Sequence, residues 1–209
     1  MSVLNKIAYF QGRRDDAPNQ ELARELASTQ NKEEIQEIAE NLWNKDPNVQ
    51  SDCLKVLYEL GYLKPELVAG YTADFLKLLK HKNNRMVWGS MIALATVAGL
   101  RGGEIYTHLD EIMRVMAEGS VITVDNGVKA LADAAASSYE RREVIFPFLL
   151  QHLETCCPKE VVQHAEKALV AVDANNKDAF RRVLVKRMGD MTGSQTARIR
   201  KVIKEASRK

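Results

Sequence analysis

DPNVQSDCLKVLYELG runs from Asp46 to Gly61, and NRMVWGSMIALATVAG runs from Asn84 to Gly99. A step of 38 residues superimposes the two stretches and lays Gly61 on Gly99. The turns that follow also match, Gly61–Glu66 (GYLKPE) lying over Gly99–Glu104 (GLRGGE). Repeating the step gives columns of constant character. Ser51, Gly89, Gly127 and Ala165 are all small. Leu54, Ile92, Ala130 and Ala168 are all apolar, as are Val56, Leu94, Ala132 and Val170. A fixed period of this length is the mark of a repeat array, in which each unit buries its apolar face against its neighbours.

The second half of each unit recurs at about 37 residues. Phe75, Leu76 and Leu79 correspond to Ile112, Met113 and Met116, and again to Leu149, Leu150 and Leu153. Apolar residues at i, i+1 and i+4 share one face of a helix, not of a strand. Each unit therefore reads as two amphipathic helices. Gly61 and Gly99 are expected to close first helices in the left-handed cap conformation. Pro65 is expected to open a second helix, and Pro147 to fall in the first turn or two of its own. Ser194 is the expected N-cap of the last helix.

The count is eleven helices after a short N-terminal segment, in one domain spanning residues 1–209. A degenerate first pair occupies residues 18–45. Four clear pairs occupy 46–191, beginning near Asp46, Asn84, Thr123 and Pro158, and a C-terminal capping helix occupies 194–207. The small column carries a second expectation. Glycine inside a helix costs about 1 kcal/mol relative to alanine, so Gly89 and Gly127 mark places where a neighbouring helix packs closely.

Two antiparallel helices per 37–38 residues resemble the HEAT-repeat family, with armadillo arrays as close relatives. The resemblance covers about residues 46–191 well and 18–45 loosely, and it is one of architecture, since the Asp and Arg typical of the family's turns are not clearly kept. It implies an all-α superhelix of stacked helix pairs whose second helices line a concave face, and a role in binding proteins or, in some members, nucleic acid.

Composition agrees with a soluble chain: 45% hydrophobic, 28% charged, and only five prolines and eleven glycines among 209 residues. No stretch approaches the roughly 18 apolar residues of a membrane span, and Met1–Phe10 lacks the pattern of a signal peptide. A cytoplasmic protein without membrane contact is expected. Cys53, Cys156 and Cys157 do not form a disulfide framework. The vicinal pair has no second cysteine pair, and His152 is the imidazole nearest in sequence. Free thiols are expected, with no metal and no cofactor.

No phosphate-binding loop, His-Glu-x-x-His or paired Cys-x-x-Cys is present. His81, His108, His152 and His164 are scattered across the repeats, none with an obvious carboxylate partner, so neither a catalytic site nor a small-molecule substrate is expected. Three sets of residues are candidates for partner binding. Gln50, Trp88, Asn126 and His164 precede the small column and form a stripe of stacking or hydrogen-bonding groups on first helices, unless Trp88 simply packs at an inter-repeat seam. Lys77, Arg114 and Gln151, each 37 apart, form a ladder on second helices that could line the concave groove, or a merely solvated face.

The third set is the basic end. Residues 174–209 hold eleven Lys/Arg against three Asp/Glu, a net of +8, which leaves −6 for the rest of a chain whose total is +2. Arg182 and Lys186 share a helix face, as do Arg200 and Lys204. Together with Arg181, Arg187, Arg198 and Lys201 they make a positive pole for an anionic partner, or serve solubility alone.

The reading is a non-catalytic scaffold that binds a protein, with nucleic-acid binding as the alternative. A DNA alkylation-repair glycosylase built on HEAT-like repeats is the enzymatic alternative. Its pattern requires aromatics and an Arg around a catalytic Asp. Here the residue four after Trp88 is Ile92, and Asn126 and His164 occupy the next two repeats.

Overall fold

The computed structural model describes residues 2–209. Among them are twelve α-helices and no strand. They are α1 (Ala17–Thr29), α2 (Lys32–Glu40), α3 (Pro47–Leu63), α4 (Thr72–Leu78), α5 (Asn84–Val97) and α6 (Gly102–Thr107). The others are α7 (Leu109–Glu118), α8 (Val121–Ala136), α9 (Tyr139–Thr155), α10 (Pro158–Ala168), α11 (Lys177–Arg187) and α12 (Gly193–Ala206). The helices α3, α5, α8 and α10 begin at or within two residues of the four expected starts. The extra helix arises because the second helix of one repeat breaks at His108 into α6 and α7. No helix among the described residues is long and apolar enough to cross a membrane.

Side-chain caps set several of the starts. The Asp46 carboxylate accepts from the Asn48 N–H at 2.8 Å ahead of Pro47, the first residue of α3. Asn83 accepts from the Arg85 N–H at the start of α5. The last helix is capped by Thr192, not Ser194. Thr192 and Gln195 form a reciprocal capping box, which satisfies two backbone donors where Ser194 would satisfy one.

Pro65 opens a 3-10 turn, and α4 begins only at Thr72. Pro147 lies well inside α9, not in its opening turns. Neither Gly61 nor Gly99 is left-handed: among the described residues only Gln30 and Gly12 have positive φ, 54° and 66°. Gly61 lies within α3, and its lack of a side chain serves close packing instead of a cap: a β-carbon there would fall on the Thr96 hydroxyl of α5.

The chain divides into two compact units, residues 1–127 and 128–209, with α8 crossing the boundary. In the first unit α1 packs on α3 and α3 on α5, first helix against first helix. The N-terminal segment is held against them, with Val3, Ile7 and Ala8 buried. In the second unit α9 packs on α11, and α12 covers α10 and α11. Its core includes the Phe146 and Phe180 rings, 6.1 Å apart.

All four residues of the small column are buried. A β-carbon on Gly89 would lie 2.7 Å from Leu54 Cδ2, and one on Gly127 would lie 2.5 Å from Met116 Sδ. Gly89→Leu and Gly127→Leu should each destabilise the first unit by about 1–3 kcal/mol through overpacking. Urea unfolding followed by tryptophan fluorescence reads this directly, because Trp43 and Trp88 both belong to that unit. Wild-type midpoints in both variants would refute the close-packing account. The apolar columns are likewise buried, except Val170, which is exposed because α10 gives way to a 3-10 turn at Leu169–Ala171.

Candidate functional site

Of the first-helix stripe, Gln50, Trp88 and Asn126 are half-buried. Gln50 Nε2 donates to the Asn44 carbonyl at 2.7 Å, and Asn126 Nδ2 donates to the Ile122 carbonyl at 2.9 Å. His164 does not join an exposed stripe. Its side chain is turned into the second unit, and it is 1% exposed.

The ladder residues Lys77, Arg114 and Gln151 are all exposed. In the first unit the cations are met by nearby carboxylates: Lys77 by Asp74 at 3.8 Å, Arg114 by Glu118 at 3.5 Å, and neighbouring Lys80 by Glu111 at 3.3 Å. Arg114 lines a groove of about 320 Å³ with Lys80 and Val87.

The second unit is different. Gln151, on α9, faces Arg182 and Lys186, on α11, across a groove of about 380 Å³ whose apolar lining includes Pro147, Leu150 and Val183. Helix spacing accounts for this. Leu150 and Gln151 lie three and four residues after Pro147, and Glu154 follows them at four and three, on one face of α9; Ala179, Arg182, Val183 and Lys186 repeat the spacing on α11. Arg182 and Lys186 continue into an adjoining hollow of about 470 Å³ with Val185, Arg181 and Asp178, the last two paired with each other at 3.2 Å. Neither Arg182 nor Lys186 has an ion-pair partner among the described residues.

The basic end is thus not one surface. Arg200 and Lys204 are exposed on α12 and do not line this groove. Arg198 is held by Glu166 through two hydrogen bonds of 3.0 and 2.6 Å. Arg187 is not part of the pole at all. It is buried, donating to the carbonyls of Leu153 at 2.5 Å and Cys156 at 2.8 Å, with Asp190 at 3.3 Å.

One cluster escaped the sequence reading, which assigned no metal ligands. His152 Nε2 lies 3.0 Å from His164 Nδ1, and Cys156 completes a group whose ligand atoms all fall within 4.8 Å of one another. His152 and Cys156 share a face at the end of α9. Pro158 starts α10 two residues after Cys156, which brings His164 back onto them. The signal was the spacing: His152, Cys156, Glu160 and His164 follow at steps of four. Burial lowers the His152 pKa, against the charge of Glu160. Burial also raises that of the Cys156 thiol, against the Arg187 guanidinium. Cys157 is exposed, whereas Cys53 is sealed in the core, where burial pushes its thiol up to about 12.

No family model matches the sequence, and no curated protein is similar to it. Solved structures are. An engineered protein, Northeast Structural Genomics Consortium target OR329, superimposes with a TM-score of 0.67 at 16% identity, covering 99% of this chain and 97% of that one. The designed armadillo repeat protein YIII(Dq.V1)4CPAF, in complex with the peptide (KR)4, superimposes with a TM-score of 0.67 at 14% identity over 99% of both chains. Kap121p bound to Pho4p gives 0.65 at 13% identity, over 93% of this chain and 22% of that one. The chain has the HEAT- and armadillo-like α-solenoid fold that its 38-residue period implied.

Proposed function

We propose that this protein is a non-catalytic, cytoplasmic interaction scaffold that holds an acidic, extended segment of a protein partner in the groove between α9 and α11. The observation that carries the reading is the pairing of unneutralised Arg182 and Lys186 with Gln151 over an apolar floor. Such a groove offers charge to carboxylates, an amide to a peptide backbone, and apolar area to the intervening side chains. Glu154, on the same rim, repels carboxylates there and so directs the acidic side chains of the segment toward Arg182 and Lys186. Similar structures use this fold to hold a peptide and a protein. The basic peptide of the designed protein contrasts with the acidic one proposed here.

Reversing an exposed charge exchanges an attraction of about 0.5–1 kcal/mol for a comparable repulsion. Arg182→Glu with Lys186→Glu should therefore weaken binding of a labelled Asp/Glu-rich peptide by about tenfold or more. Lys77→Glu with Arg114→Glu should leave that binding unchanged. Fluorescence anisotropy at two ionic strengths reads both. Equal binding by the two double variants would remove the groove from the proposal. Random-sequence duplex DNA is the contrasting probe. Tighter binding of DNA than of peptide, with a log–log salt slope of about 0.9 per phosphate contacted, would favour nucleic acid instead.

A further inference from the structure

We propose that His152, Cys156 and His164 bind one Zn2+ ion, which clips the end of α9 to α10. The ligand set is one thiolate and two imidazoles, a mixture that suits a borderline-soft, four-coordinate cation. Zinc bonds of about 2.0–2.1 Å to nitrogen and 2.3 Å to sulfur set ligand-to-ligand edges of about 3.3–3.6 Å in a tetrahedron. The observed nitrogen separation of 3.0 Å, and the 4.8 Å that bounds the whole group, bracket those edges. Rotations of the His152 and Cys156 side chains, both only half-buried, close the difference.

The backbone is already arranged for the site. The Cys156 N–H donates to the His152 carbonyl at 2.8 Å, which fixes these two ligands one turn apart. Arg187 donates to the carbonyls of Leu153 and Cys156, so the strand of chain bearing the thiol is anchored from outside the ligand set. Metal ligands commonly depend on such outer hydrogen bonds for their orientation.

The fourth position falls to water or, after a side-chain rotation, to Glu160, which is half-buried one turn before His164 on α10 and lies outside the 4.8 Å group. With Glu160 the charges of cation, thiolate and carboxylate cancel. That makes a partly buried site tolerable beside the Arg187–Asp190 pair. Because both helices contribute ligands, the ion would act as a staple within the second unit, away from the exposed Arg182 and Lys186.

The test uses full-length, tag-free protein, reduced and stripped with a chelator, then titrated with Co2+ and Zn2+. One equivalent of Co2+ should produce the thiolate charge-transfer band and the strong visible bands of tetrahedral cobalt, and Zn2+ should displace it. Cys156→Ser should abolish the charge-transfer band. His152→Ala should weaken Zn2+ binding by more than the ~10–100-fold that loss of an outer-shell partner costs. Cys157→Ser, exposed and outside the cluster, should bind like wild type. His164 is too buried for a clean variant, so the test rests on the two half-buried ligands. Circular dichroism confirms that each variant folds before metal is added. No stoichiometric binding by wild type would overturn the proposal. So would an undiminished charge-transfer band in Cys156→Ser, or its loss in Cys157→Ser.

Discussion

Asp52→Ala should cost the first unit about 2–4 kcal/mol, more than either glycine substitution on average. Asp52 lies inside α3 and is only 9% exposed. One carboxylate oxygen accepts from the Tyr9 N–H at 2.8 Å, and the other accepts from Asn19 Nδ2 at 2.9 Å. Asn19, fully buried on α1, in turn accepts from the Ala8 N–H at 2.9 Å. One side chain thus ties together α3, α1 and the N-terminal segment. A hydrogen bond to a charged group contributes about 1.5–3 kcal/mol, and a buried donor left without a partner costs about 1–3 kcal/mol.

Asn would not rescue the position, because its amide would turn a second donor toward Tyr9 or Asn19. A double-mutant cycle of Asn19→Ala with Asp52→Ala isolates the pair, and a coupling of about 1–3 kcal/mol is expected. Tryptophan fluorescence is again the readout, since both tryptophans report the first unit alone. A coupling within about 0.5 kcal/mol of zero would mean that the network adds nothing beyond packing.

The contrast between what the repeat revealed and what it concealed has a physical basis. Periodicity reports burial. The 38-residue register therefore located α3, α5, α8 and α10, and it marked Gly89 and Gly127 as close contacts. It does not report conformation at a particular turn. Gly61 is expected to cap a helix because glycine is free to do so, whereas it lies inside α3 and is small because the Thr96 side chain occupies the space of a β-carbon. The same limit applies to Val170, whose column is buried in the other repeats, and to the break between α6 and α7 at His108.

Site residues were less legible still, because a column states only that positions are equivalent along the repeat. His164 is equivalent to Trp88 in sequence, yet it is buried where Trp88 is half-exposed. Gln151 was legible as a ladder position and Arg182 and Lys186 as basic residues. That they share a groove follows only from the packing of α9 on α11. The His152–Cys156–His164 cluster shows the reverse. Its spacing of four was visible, but the step is informative only once Pro158 is known to reverse the chain between the second and third ligand-bearing positions.

Arg187 is the clearest case in which charge misleads, and its removal carries the largest effect expected in the second unit. Counted in sequence, it is one more cation of a basic end. In the structure it is 6% exposed, and its guanidinium closes the end of α9, where helix carbonyls lack intrahelical partners. A cation there also meets the negative end of the helix dipole. Arg187→Ala would strand the Leu153 and Cys156 carbonyls and leave Asp190 without its ion pair. Asp190 is itself mostly exposed, so the cost lies in the two charge-assisted hydrogen bonds and the stranded carbonyls, about 2–4 kcal/mol. Arg187→Lys should recover less than half, because an ammonium on a flexible stem lacks the planar fork that reaches both carbonyls at once.

The expected signature is unit-specific. Far-UV circular dichroism and hydrogen exchange over residues 139–206 should report early loss of structure, whereas the tryptophan midpoint, which belongs to the first unit, should move little. If Arg187→Ala unfolds at the wild-type denaturant concentration by circular dichroism and hydrogen exchange, the bonds of the buried guanidinium add no net stability. The closure of α9 would then rest on the apolar packing of Leu149 and Leu153 alone.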